Sequence, residues 1–253
     1  MITIAIANRK GGVGKSTTAN ALTAGLVHLK GFRVLAVDLD AQRNLSTTMG
    51  IRADSKTSLG ILTGDATAAE TIRHTDYGDI IPASKSLSGA DAVLTETGKE
   101  YRLREALEAV QGDYDFCIID CPPALGILTV NALTAAQGVV IPAQADIYSL
   151  EGIEDLVETI QPVKRYCNPA LRVEGVLLTR YNPRSVLSRE VTVMAERQAA
   201  KLGTVLFKAT IREAIAVREA QISQQNLFQY APKANVTGDY TDFINELLNR
   251  MGK

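Results

Sequence analysis

The chain is predicted to fold as an α/β domain, a doubly wound and mostly parallel sheet with helices on both faces. Three observations lead there. Short apolar runs recur along the chain, separated by segments of helical spacing, the pattern of strand–helix–strand units. The first run leads into a glycine-rich loop and then a helix. Two later runs end in aspartate, and carboxylates at the C-terminal edge of a parallel sheet face its ligand crevice. At 253 residues the chain is long enough to bury one large core.

The elements follow in order. Ile2, Ile4 and Ile6 alternate with smaller residues, a strand signal. Ala19, Leu22, Leu26 and Leu29 then take helical spacing, and Gly31 is a natural helix stop. Val34-Leu35-Ala36-Val37 is a continuous apolar run, as in a strand buried on both faces, and leads to Asp38-Leu39-Asp40-Ala41-Gln42. Phe116-Cys117-Ile118-Ile119 is a further such run, closed by Asp120 and the turn-forming Pro122-Pro123. Near the C-terminus Tyr240, Phe243, Ile244, Leu247, Leu248 and Met251 make one apolar stripe of an amphipathic helix.

The loop between the first strand and helix carries the chemistry. It reads Lys10-Gly11-Gly12-Val13-Gly14-Lys15-Ser16-Thr17. Its glycines let backbone N–H groups turn around phosphates, and the next helix adds the positive end of its dipole. Lys15 is placed to reach β- and γ-phosphates, Ser16 to ligate Mg²⁺, and Thr17 to touch the α-phosphate. Arg9 stands where the general loop has its first glycine, and Lys10 is an additional lysine.

Composition narrows the class. Net charge is −1, so the chain as a whole is not a polycation. Residues 180–219 carry eight basic and four acidic side chains, which leaves +4 there and −5 elsewhere. Cys117, Cys121 and Cys167 lack metal-ligand spacing and are expected to be reduced. His28 and His74 stand alone and suggest neither a metal site nor catalysis. No apolar stretch approaches the ~20 residues that span a bilayer, and no signal peptide is expected.

The loop, the Asp38-Leu39-Asp40 segment and Asp120-Cys121-Pro122-Pro123 together resemble the deviant-Walker ATPases of the ParA/MinD class of P-loop NTPases. The resemblance is closest to short ParA proteins of the Soj type. It extends through Ile81-Pro82-Ala83, residues 139–142 and residues 175–179, and weakens after Tyr181. It implies one ATPase domain over residues 1–253, with no N-terminal helix-turn-helix domain. It implies ATP and Mg²⁺ as cofactors. Lys10 is then the signature lysine, which crosses a homodimer interface to the partner's nucleotide. Asp40 positions the attacking water, Asp38 supports it near magnesium, and Asp120 holds the Mg²⁺ shell. Lys10, Lys15 and Asp40 are thus the catalytic candidates, Ser16, Asp38 and Asp120 the metal candidates.

The same resemblance implies non-specific DNA binding by the dimer and a ParB-like centromere-binding protein that stimulates slow hydrolysis. The protein would be cytoplasmic and nucleoid-associated. The candidate DNA contacts are Arg189, Arg212 and Arg218, then Arg184 and Lys208. The family's loop at 211–220 also lines its adenine pocket, so Arg212 is a candidate nucleotide contact as well. Here that loop reads Ile211-Arg212-Glu213-Ala214-Ile215, without the family's proline and asparagine.

A MinD-like, membrane-cycling ATPase is the alternative. It would use the C-terminal helix at a membrane surface, but the polar face there is near neutral, with Asp242, Glu246 and Arg250.

Overall fold

The computed structural model describes residues 1–52 and 56–253. The described residues form a sheet of six parallel strands: β1 (Ile2–Ile6), β2 (Val34–Asp38), β3 (Asp79–Ile81), β4 (Phe116–Asp120), β5 (Gly138–Gln144) and β6 (Arg172–Thr179). Their spatial order is β3-β2-β4-β1-β5-β6. The chain winds from β1 out to one edge, returns to β4 beside β1, then proceeds to the other edge. That reversal brings the loops after β1, β2 and β4 to the same sheet edge, the usual crevice of such a fold.

Alternation along each strand feeds two cores. Ile4, Ile6, Ala36 and Ile118 face one side, where they pack with Leu22 and Leu26 of the helix Lys15–Lys30 and with Phe243 and Ile244 of the helix Asn235–Arg250. Ala5, Val37, Ile119 and Ile141 face the other, against Leu103, Leu133, Leu156 and Ala195 from four further helices. Helices on both faces of a mostly parallel sheet are what the sequence predicts.

Gly31 ends the first helix as expected. Its φ is 69°, and its N–H donates to the Val27 carbonyl. The C-terminal apolar stripe is part of the core: Tyr240, Phe243, Ile244, Leu247 and Leu248 are each at most 5% exposed. A membrane-surface role would have to withdraw them. No helix among the described residues is long and apolar enough to cross a membrane.

Candidate nucleotide site

The loop after β1 is fastened from behind by neighbouring strands. Asn8 is buried; its amide donates to the Pro142 carbonyl at 2.7 Å and its oxygen accepts from the Lys10 N–H at 3.0 Å. Gln144 at the end of β5 donates to the Gly12 carbonyl at 2.7 Å. Thr179 at the end of β6 donates to the Val13 carbonyl at 2.8 Å. These bonds take up carbonyls and so favour a loop that turns its N–H groups outward. Gly12 and Gly14 have φ of 77° and 89°, a conformation that side chains resist.

Lys15 opens the following helix and is 7% exposed. Its ammonium donates to the Lys10 carbonyl at 3.1 Å. Burial lowers its pKa, and Asp120, Cys121 and Asp40 nearby offset part of that. Lys10 directs its ammonium to Asp146, just past β5, with both carboxylate oxygens within 2.9 Å.

The carboxylates come from two adjacent strands. Asp38 of β2 pairs in register with Asp120 of β4, and both side chains are fully buried. Their bonding differs. Asp38 accepts from the Asp40 N–H at 3.0 Å, the Ser46 N–H at 2.8 Å and the Ser46 hydroxyl at 2.7 Å. Burial still raises its pKa to about 6, against those bonds. Neither Asp120 oxygen has a hydrogen-bond partner among the described residues. Burial, then the facing Asp38, push its pKa well up; Ser16 and Lys15 nearby oppose this only in part. A buried carboxylate left open in this way suits a divalent cation.

The bonds of Asp38 tie it to the turn that carries Asp40. Asp40 is 8% exposed, and one of its oxygens accepts from the Gln42 N–H at 2.9 Å.

A cavity of about 690 Å³ opens over the loop, lined by residues 11–17 and Asp40. Its far wall includes Arg180, Arg212, Glu213, Val217 and Arg218. Gln221, on the helix Ile215–Ile222, donates to the Thr17 hydroxyl at 3.1 Å and ties that wall to the loop helix.

The basic residues assigned to DNA stand in different surroundings. Arg212 is held by Asp239 through its N–H and its guanidinium, at 2.7–3.1 Å. Arg218 pairs with Glu213 at 2.6 Å. Both arginines line the cavity. Lys208 sits in a separate hollow with Asp242, Glu246 and Arg250. Arg184 and Arg189 are exposed at the start of the helix Val186–Lys201 and stay available.

Asn8, Gln144, Thr179 and Gln221 were not singled out in the sequence. The only local signal was that Gln144 and Thr179 close apolar runs, as Asp120 does.

Residues 1–173 match a protein-family model described as an AAA domain. The chain is 41% identical over 249 residues to the sporulation initiation inhibitor protein Soj of Bacillus subtilis, across 96% of this chain and 97% of that protein. It is 40% identical over 254 residues to the chromosome partitioning protein ParA of Caulobacter vibrioides, across 98% and 94% of the two. Among solved structures, a cobyrinic acid a,c-diamide synthase of Mycobacterium smegmatis with bound ADP and magnesium matches with a TM-score of 0.82. The identity is 33%, over 100% of this chain and 96% of that one.

Proposed function

The chain belongs to the ParA/Soj family of partition ATPases, and from that premise we propose that it is a DNA-segregation switch driven by ATP. Residues 1–253 act as one ATPase domain. ATP and Mg²⁺ bind over the loop, two copies close around two nucleotides, and the dimer binds DNA without sequence preference. Slow hydrolysis, stimulated by a ParB-like protein on a centromere-like site, releases it at the nucleoid.

The observation that carries this reading is the open, buried carboxylate of Asp120 behind the glycine loop. A carboxyl buried in this way is costly, Lys15 and Ser16 nearby offset that only in part, and a bound cation would offset the rest. Ser16 and Asp120 would hold the magnesium ion, Asp120 by way of its shell. When bound, the ion neutralises phosphate charge. Residues 11–14 bind the phosphates through the backbone, with Thr17 at the α-phosphate. Lys15 supplies charge to the β- and γ-phosphates, and Lys10 of each copy supplies it across the dimer. Asp40, on the turn fixed by Asp38, orients the attacking water. Arg212 lies on the wall available to the nucleoside. Positioning without full charge neutralisation accounts for slow turnover without the partner. Arg184 and Arg189 are the retained DNA candidates.

The MinD-like alternative finds less support, because the apolar face of the C-terminal helix is occupied by the core. The experiment is light scattering on the purified protein with ATP, ADP or no nucleotide, beside Asp40→Ala. Dimers formed with ATP alone, and accumulating in Asp40→Ala, support the switch. A monomer under every condition contradicts it.

A further inference from the structure

The two basic side chains at the mouth of the loop are both held by the segment that follows β5. Lys10 donates to the two oxygens of Asp146 at 2.7 and 2.9 Å. Arg9 pairs with Asp155 at 2.7 Å, one residue earlier on the loop and nine later on the segment. Asp155 lies within the helix Ile147–Tyr166. Between the two acids that helix packs directly on the loop. A Cβ placed on Gly152 would stand 2.7 Å from the Asn8 oxygen and 3.4 Å from the Lys10 Cβ. Asn8 fixes the backbone there, so the mouth of the loop is set and the side chains are what can move.

We propose that Asp146 and Asp155 are positioning residues that clasp Lys10 and Arg9 within their own chain. The clasp must open before Lys10 reaches the nucleotide of the partner copy. This rests on the sandwich-dimer reading above and adds a threshold to it. Lys10 can leave a carboxylate only for a stronger concentration of negative charge, and a triphosphate offers more than a diphosphate. The clasp thereby suppresses dimers that lack ATP.

The two halves are unequal. Lys10 and Asp146 are each about 30% exposed, so their bidentate contact is partly shielded. Arg9 is 59% exposed and Asp155 36%, an ordinary surface pair. Opening a surface-type pair shifts an equilibrium by up to about fivefold. Two clasps open per dimer, so the shifts multiply, to about 25-fold for Asp146 and less for Asp155.

The test measures the dimer dissociation constant by analytical ultracentrifugation with magnesium AMP-PNP, and again with magnesium ADP. The variants are Asp146→Asn, Asp155→Asn, Lys10→Ala and Lys10→Ala/Asp146→Asn. Asparagine keeps the shape of residue 146 and removes its charge. Asp146→Ser is the second choice if the first folds poorly. Asp146→Asn is expected to tighten the AMP-PNP dimer about tenfold to 25-fold and Asp155→Asn about twofold to fivefold. Asp146→Asn is expected to have no effect once Lys10 is alanine. A weaker or unchanged dimer in Asp146→Asn overturns the clasp, as does equal tightening in the Lys10→Ala background. A wild-type protein that stays monomeric with AMP-PNP overturns the dimer reading itself, and the clasp with it.

Discussion

Asp38 and Asp120 face each other across adjacent strands, fully buried, and among the described residues only Asp38 of the two accepts hydrogen bonds. Two carboxylates this close oppose each other's ionisation, and the cost is concentrated on Asp120. The site is therefore built to be completed by positive charge.

Replacing Asp120 by asparagine is expected to stabilise the nucleotide-free protein at neutral pH, by about 1–3 kcal/mol, because it removes the cost of a buried carboxyl whose pKa is raised by burial and by Asp38. The same change should abolish the stabilisation conferred by Mg-ATP. Thermal melts of both proteins with and without Mg-ATP check this. A variant less stable than wild type, or still stabilised by Mg-ATP, contradicts it.

Asp38 gives the nucleotide-free protein a pH dependence. Its pKa is about 6 in the fold against 3.8 unperturbed. Between those values the folded state holds more of the proton, so stability falls as pH rises through the window. Asp120 is raised as well and acts in the same sense. Urea melts should show about 1–2 kcal/mol more stability at pH 5.5 than at pH 7.5, with a smaller difference in Asp38→Asn. An unchanged difference in that variant assigns the effect to other groups.

Thr179 anchors the loop from β6, with its hydroxyl on the Val13 carbonyl. Thr179→Val keeps the shape and removes the bond. It is expected to cost about 1 kcal/mol of stability and to weaken ATP binding about fivefold to tenfold, since the loop loses a fixed point. Calorimetric titration with ATP measures it; wild-type affinity in the variant removes Thr179 from the site.

Much of this was legible in the sequence because it is local. The glycine loop, Lys15, and the aspartates at the ends of β2 and β4 announce themselves by spacing and by the apolar runs before them. Gly31 and the stripe from Tyr240 to Leu248 are equally local. The bonds that fix the loop are not. Asn8 meets Pro142 and Thr179 meets Val13 across separations of 134 and 166 residues, and nothing in either neighbourhood marks them. The division of labour between Asp38 and Asp120 was hidden for another reason. Two aspartates ending apolar runs read alike until Ser46 is seen to occupy one of them. The pairing of Arg212 with Asp239 is hidden in the same way, because its partner lies 27 residues further on.

The C-terminal helix offers a separate check. Phe243 is completely buried and meets Phe207 edge-on, with ring centroids 5.1 Å apart. Phe243→Ala is expected to cost about 3–5 kcal/mol, as for other buried aromatics. The wild-type protein should not sediment with anionic liposomes in the presence of ATP. A small loss of stability together with ATP-dependent sedimentation would return the helix to the membrane.

The most direct measurement is DNA binding by the purified protein with ATP, ADP or no nucleotide, at two salt concentrations, beside Asp40→Ala. Binding that requires ATP, persists in Asp40→Ala and weakens with salt is the expected result. Dimers that form with ATP yet leave DNA unbound would contradict the segregation switch and leave only the nucleotide switch.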